Sequence, residues 1–271
     1  MSTDGPRHLR RLASRLREHG RLAIAVSGGV DSLTLAAAAH RTPGVTAEMF
    51  HAVSPAVPAA ATARVRRLAA REGWHLRLLD AGEMRDPRYV GNPVDRCYFC
   101  KGLLYRAIAG LSPWRPASGA NLDDLDDYRP GLKAAAEHGV AHPFIEAGLD
   151  KAAVRAVARH LGLGAIAELP ASPCLSSRVE TGLPIDPALL AAIDRAETVL
   201  RAVVPAATVR CRVRARGIEV EVDRAVLARW SPRDRDEIRR RVAAALGPAA
   251  AAGVSLAPYR RGSAFVGDKT P

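Results

Sequence analysis

Leu22 to Val26 is a short apolar run that stops at Ser27-Gly28-Gly29-Val30-Asp31-Ser32, and an Ala/Leu-rich stretch, Leu33 to His40, follows at once. A buried strand that breaks in a glycine turn and re-enters as a helix leaves few folds open. The glycines let backbone N–H groups approach a phosphate closely, and the helix that follows adds the positive end of its dipole. Ser27 and Ser32 supply hydroxyl donors. Asp31 repels a bare phosphate, so its place is to hold Mg²⁺ or to orient the loop. There is no Gly-Lys-Ser/Thr, which removes the kinase-type phosphate loop.

The rest of the first two thirds repeats the strand–helix theme. His8 to His19 is an amphipathic helix with Leu9, Leu12 and Leu16 on one face. Val45 to Val53 and His75 to Leu79 read as strands, with Thr62 to Glu72 a helix between them. Pro87 to Asp95 is a polar loop and Cys97 to Gly110 a helix. Arg115 to Ala120 ends a strand, Lys133 to His138 is a short helix and His142 to Glu146 a strand. Asp150 caps a helix that runs to Leu161. Repeated units of this kind imply an α/β fold, a parallel sheet with helices on both faces. After Gly182-Leu183-Pro184 the pattern changes to a helix, Pro187 to Val203, and a hairpin, Thr208 to Arg214 with Ile218 to Val222. A helix from Arg233 to Leu246 and a last strand from Val254 to Leu256 complete a small C-terminal α+β domain. The expected division is therefore 1–182 and 183–271.

Composition bounds the function. The chain has 271 residues, 48% apolar and 25% charged, so disorder and fibre are excluded. No stretch reaches the roughly 18 apolar residues of a membrane span. The first twenty residues are too charged for a signal peptide, and the expected compartment is the cytoplasm. The net charge is +12, almost all of it from Arg spread along the chain. An anionic small molecule fits that balance as well as nucleic acid does.

Four cysteines carry the next signal. Cys97 and Cys100 form a C-x-x-C that puts both sulfurs on one side of a turn. Cys174 lies in Ser172-Pro173-Cys174-Leu175-Ser176-Ser177-Arg178, where Arg178 would lower its pKa or bind phosphate. Cys211 shares a strand face with Val209 and Val213 and reads as a small buried apolar residue. Three thiolates, Cys97, Cys100 and Cys174, suit a [4Fe–4S] cluster with one free iron better than a four-ligand zinc site.

The order Ser27-Gly28-Gly29-x-Asp31-Ser32 resembles the signature of the PP-loop ATP pyrophosphatases, whose fold is that of the adenine nucleotide alpha hydrolases. Lys151-Ala152-Ala153-Val154-Arg155 matches their K-x-x-V-R helix. Asn92 to Lys101, Gly119 to Lys133 and Pro173 to Arg178 narrow the resemblance to the LarE family, and Arg210-Cys211-Arg212 and Tyr259 to Ser263 continue it. That family adenylates the carboxylates of a pyridinium mononucleotide and converts them to thiocarboxylates for a nickel-pincer cofactor. In one form a cysteine gives up its own sulfur; in the other, three cysteines hold a [4Fe–4S] cluster that carries sulfur. The C-x-x-C resembles the cluster form, with Cys174 as a ligand.

The resemblance implies a set of roles. ATP and Mg²⁺ belong to Ser27, Gly28, Gly29, Asp31 and Ser32, with Lys151 and Arg178 at the departing pyrophosphate. Asn121, Asp124 and Glu197 belong to the substrate pocket, with Asp123 and Asp127 in the same acidic patch. Arg210 and Arg212, with Arg214 in the same ladder, receive the substrate phosphate. A solvated basic face, an exposed helix acid and an acidic surface turn are the plain alternatives for these last groups. The histidines receive no role. The expected partner is a small-molecule pyridinium mononucleotide, with a homohexamer by resemblance, no membrane and an unidentified sulfur donor. A tRNA thiolase is the rival reading, but aromatics are 4% and no RNA-binding module is evident.

Overall fold

The computed structural model describes residues 4–125, 130–204 and 208–265. The helices in chain order are α1 (Asp4–His19), α2 (Val30–Arg41), α3 (Ala59–Glu72), α4 (Pro87–Val90), α5 (Arg96–Leu111), α6 (Pro130–Glu137), α7 (Pro143–Glu146), α8 (Lys151–His160), α9 (Pro187–Val203), α10 (Arg224–Arg229) and α11 (Pro232–Leu246). The strands are β1 (Arg21–Ala25), β2 (Thr46–Ala52), β3 (Leu76–Leu79), β4 (Arg115–Ala117), β5 (Val209–Arg214), β6 (Gly217–Val222) and β7 (Val254–Pro258). The chain divides into two compact units, Met1–Glu83 with Cys97–Ser172 and Met84–Arg96 with Pro173–Pro271.

The first unit holds a parallel sheet in the order β3-β2-β1-β4. Alternation along β1 explains why helices cover both faces. Leu22 and Ile24 point to a core shared with α1, α2 and α8, while Ala23 points to a core shared with Leu104 and Ile108 of α5 and Ala135 of α6. Leu33 to Ala39 of α2 are all fully buried, which is why that helix is apolar all round rather than striped. The stretch His142–Glu146, expected as a strand, caps and forms α7, just after Ala141 makes an isolated parallel bridge to Ala117. Pro143 is the reason: it has no N–H for a ladder, and its fixed φ suits the first position of a helix.

The second unit is built on a three-stranded sheet, β5-β6-β7, antiparallel between β5 and β6 and parallel between β6 and β7. The hairpin forms where the sequence alternation places it. Arg210 stands opposite Glu221 and Arg212 opposite Glu219 in its register. Among the described residues no helix is long and apolar enough to cross a membrane.

Candidate active site

The glycine loop lies at the carboxyl end of β1, the edge where open parallel sheets receive ligands. Gly28 has φ +83°, and a Cβ there would stand 2.8 Å from the Ala61 carbonyl oxygen of α3. Only glycine allows that approach. A Cβ on Gly119 would stand 2.8 Å from the Ser32 nitrogen, so the segment after β4 lies directly on the start of α2. The Ser32 hydroxyl donates to the Gly29 carbonyl at 3.2 Å and accepts the Ser27 N–H at 3.1 Å. Its oxygen is 3.1 Å from the Ser27 hydroxyl. Gly29 caps α2 without a side-chain hydrogen bond. A helix start whose cap residue makes no side-chain hydrogen bond, closed in by glycines, fits a nucleotide phosphate.

Asp31, in the first turn of α2, meets Lys151, the first residue of α8. The Lys151 Nζ donates to both Asp31 carboxylate oxygens, at 2.7 and 2.5 Å. Asp150 accepts the Ala153 N–H at 2.7 Å, and this cap fixes where α8 starts and hence where Lys151 emerges. Asn121 is buried, and its amide donates to Asp31 Oδ1 at 3.4 Å. Asp124 folds back to accept the Asn121 N–H at 3.1 Å. The structure therefore gathers Ser27, Gly28, Gly29, Asp31, Ser32, Asn121 and Lys151. Asp127 lies outside the described residues.

Three neighbours of this loop had no motif to announce them. The buried His51 of β2 places Nδ1 2.7 Å from the Val26 carbonyl oxygen and Nε2 2.9 Å from the Thr62 hydroxyl of α3. Burial pushes its pKa down, so the ring is neutral, with the proton on Nδ1 and Nε2 accepting from Thr62. Arg64 of α3 donates to the Gly28 carbonyl at 2.6 Å. The signal for these residues is contact across the sheet, which one sequence does not show.

The second cluster is in the other unit. Cys174 precedes a tight helical turn, Leu175–Arg178. The Ser177 N–H and hydroxyl donate to the Cys174 carbonyl at 3.0 and 2.7 Å. Arg178 donates to the Pro173 and Cys174 carbonyls at 2.6 and 3.0 Å. Its remaining side meets Glu197 of α9 in a two-bond pair at 2.8 and 2.9 Å, with both side chains 0% exposed. Burial alone would push the Glu197 carboxyl up, but hydrogen bonds and charge from Arg178 and Arg201 hold it below the ordinary carboxylate range. Glu197 also accepts the Cys211 N–H at 3.0 Å. The Tyr89 hydroxyl lies 2.6 Å from that of Ser176. Arg178, expected at a pyrophosphate, thus donates to carbonyls of its own loop and to Glu197.

The arginine ladder is not a solvated face. Arg210, Arg212 and Arg214 are all buried. Arg212 pairs with Glu221 at 2.9 Å and donates to the Ser177 carbonyl at 2.9 Å. Arg214 pairs with Glu219 at 2.7 Å, and Arg210 lies over the Tyr259 ring at 5.7 Å. The alternating Glu219 and Glu221 of β6 are the sequence signal that marks the ladder as a buried, paired layer. Cys211 is fully buried, and burial pushes its thiol pKa far up, as an inert core cysteine requires.

Cys97 and Cys100, both half-buried thiols, sit three residues apart in the first turns of α5, on one side of the helix. They belong to the first unit and Cys174 to the second. Among the described residues no group of three or more His, Cys, Asp or Glu side chains is arranged to hold a metal ion. The donor chemistry of three thiols suits an iron–sulfur cluster.

No family model matches the chain. An uncharacterized protein of Synechocystis is 39% identical over 188 residues, 68% of this chain and 70% of the relative. The pyridinium-3,5-bisthiocarboxylic acid mononucleotide synthase of Lactiplantibacillus plantarum is 30% identical over 198 residues, 70% of each chain. An uncharacterized protein of Methanocaldococcus jannaschii is 28% identical over 118 residues, 42% of this chain and 46% of the relative.

Proposed function

Because the chain belongs to the family of the pyridinium-3,5-bisthiocarboxylic acid mononucleotide synthase, we propose that it is an ATP-dependent sulfur transferase acting on the two carboxylates of pyridinium-3,5-biscarboxylic acid mononucleotide. The observation that carries this reading is the glycine loop with Asp31 and Lys151 joined at its mouth.

A carboxylate is charged and has a poor leaving group, so it resists direct attack by sulfur. ATP removes both obstacles. A carboxylate oxygen attacks the α-phosphorus, the bond to the bridging oxygen of the β-phosphate breaks, and pyrophosphate leaves with the electron pair. The product is an acyl-adenylate. The N–H groups at the start of α2 and the hydroxyls of Ser27 and Ser32 receive the phosphates. Lys151 and Asp31 pair at the mouth of the loop. With nucleotide bound, Asp31 would hold Mg²⁺, which neutralises phosphate charge, and Lys151 turns to the departing pyrophosphate. Asn121 keeps Asp31 oriented.

A sulfur nucleophile then attacks the acyl carbon, AMP leaves, and a thiocarboxylate remains. Two rounds convert both carboxylates. Cys174 belongs to this second half-reaction. Arg178 and Ser177 grip its carbonyl and so set the direction of its thiol; Glu197 holds Arg178. Of two sulfur sources, a [4Fe–4S] cluster on Cys97, Cys100 and Cys174 or the sulfur of Cys174 itself, the C-x-x-C spacing supports the first. A homohexamer and substrate-phosphate contacts from Arg210 and Arg212 are part of the same proposal.

Substrate-dependent pyrophosphate release is the test. Pyridinium-3,5-biscarboxylic acid mononucleotide stimulates release from ATP, and mass spectrometry finds one oxygen replaced by sulfur at each carboxylate. Stimulation by bulk tRNA and not by the mononucleotide would move the chain to the thiolases. Anaerobic reconstitution with iron and sulfide decides the sulfur source. Cluster absorption lost in Cys97→Ala supports the cluster. No cluster, with Cys174 losing H₂S after turnover, assigns the sulfur to Cys174.

A further inference from the structure

Lys151 stands at the mouth of the loop, and a triphosphate carries more charge than one cation offsets. We infer that Arg64 is a second phosphate-binding residue, delivered to the glycine loop by α3. The inference rests on the nucleotide reading of that loop.

Arg64 is half-buried, and its Nη1 stands 2.6 Å from the Gly28 carbonyl oxygen. A guanidinium carries its charge on a planar fork of N–H donors, and one of them reaches the Gly28 carbonyl. The charge therefore stands on the loop residue whose backbone a phosphate must approach. Lys151 enters on Asp31, three residues further along, so two cations bracket the Gly28–Asp31 segment.

Two contacts keep α3 in this position. Gly28 lies so close to Ala61 that a Cβ would meet the Ala61 oxygen at 2.8 Å and its Cβ at 3.1 Å. Nothing larger than glycine separates helix from loop. His51 ties the end of β1 to the same helix, donating to the Val26 carbonyl at 2.7 Å and accepting from the Thr62 hydroxyl at 2.9 Å. Val26 immediately precedes the loop, and Thr62 is two residues before Arg64. His51 is a positioning residue: neutral and buried, it fixes the helix that presents the guanidinium.

A planar fork is suited to phosphate oxygens in a way a plain brace does not require. That difference gives the test. Arg64→Gln keeps an N–H donor for the Gly28 carbonyl and removes the charge. Arg64→Lys keeps the charge. The binding of inorganic pyrophosphate and of ATP, each with Mg²⁺, is measured by titration calorimetry on the full chain. Circular dichroism checks that each variant is folded. Loss of one charge-assisted hydrogen bond weakens binding about tenfold to a hundredfold. The expected result is a loss of that size in Arg64→Gln, with most of the affinity kept in Arg64→Lys. Adenosine affinity stays unchanged in both. Thr62→Val, which cuts the His51 link and leaves every charge in place, gives a smaller loss. If Arg64→Gln binds pyrophosphate as the unaltered chain does, Arg64 is only a brace and the inference is overturned alone. If the unaltered chain binds neither pyrophosphate nor ATP, the nucleotide reading of the loop falls and takes the inference with it.

Discussion

Glu197→Gln removes one charge from the buried centre of the second unit and keeps the side-chain volume. The carboxylate there accepts from Arg178 twice, from the Cys211 N–H and from Arg201. A glutamine offers one oxygen, and its amide N–H₂ then faces donors of Arg178 or Arg201. The Arg178 guanidinium, 0% exposed, is left as an uncompensated buried charge. Breaking such a pair from one side costs about 3–5 kcal/mol. In urea, with a slope of about 2–3 kcal/mol per molar, the midpoint falls by about 1–2.5 M. The pH dependence follows from the direction of the Glu197 shift. Its folded pKa lies below the ordinary carboxylate value. The ionised pair therefore contributes its full stability above about pH 4.3 and loses it as pH falls through the folded value. The gap between the unaltered chain and Glu197→Gln is constant from neutral pH down to that point and narrows below it. Urea melts followed by circular dichroism at several pH values measure this. A gap under about 1 kcal/mol at neutral pH, or one that does not narrow in acid while both chains stay folded, would refute the argument. Glu197→Leu together with Arg178→Met recovers part of the loss, because the unpaired charge is gone.

Gly28→Ala and Gly29→Ala separate two neighbouring glycines. Gly28 has a left-handed φ and backbone oxygen at 2.8 Å from the added carbon, whereas the nearest contact at Gly29 is the Ser27 hydroxyl at 3.6 Å. The left-handed backbone alone costs about 1–2 kcal/mol. Gly28→Ala therefore lowers the melting temperature and abolishes ATP binding, and Gly29→Ala leaves the fold intact. Lys151→Met lowers the rate of pyrophosphate release about a hundredfold. It barely moves the melting temperature, because the pair with Asp31 is 32% and 26% exposed and such pairs contribute about 0–1 kcal/mol. Cys211→Ala costs about 1 kcal/mol and keeps turnover. In the native chain iodoacetamide labels Cys97, Cys100 and Cys174 and spares Cys211; labelling of Cys211 before unfolding would contradict its place in the core.

Much of the architecture is written locally. The run Leu22 to Ser32 dictates strand, glycine turn and helix within eleven residues, and Asp150 announces the start of α8 by its own side chain. Alternation marks the β5–β6 hairpin and predicts Cys211 in the core. The local pattern fails where one residue overrides it: His142 to Glu146 looks like a strand, but Pro143 ends the ladder. At the site, the loop residues were legible because phosphate chemistry demands those residue types next to one another. Lys151 was legible only through its helix motif.

What required the tertiary structure is everything joined across the sheet or between elements. Asp31 and Lys151 are 120 residues apart in the chain and share hydrogen bonds of 2.7 and 2.5 Å. Arg178 and Glu197, 19 residues apart in the chain, close a buried pair beside the Cys174 loop. The ladder of Arg210, Arg212 and Arg214 becomes a paired interior layer once Glu219 and Glu221 stand beside it. His51, Thr62 and Arg64 gain meaning only because β2 and α3 lie against the loop. A sequence determines backbone geometry that depends on near neighbours, and the type of chemistry a loop can perform. Which charge meets which partner, and whether it does so in water or in the interior, depends on contacts between distant residues and is decided when the chain packs.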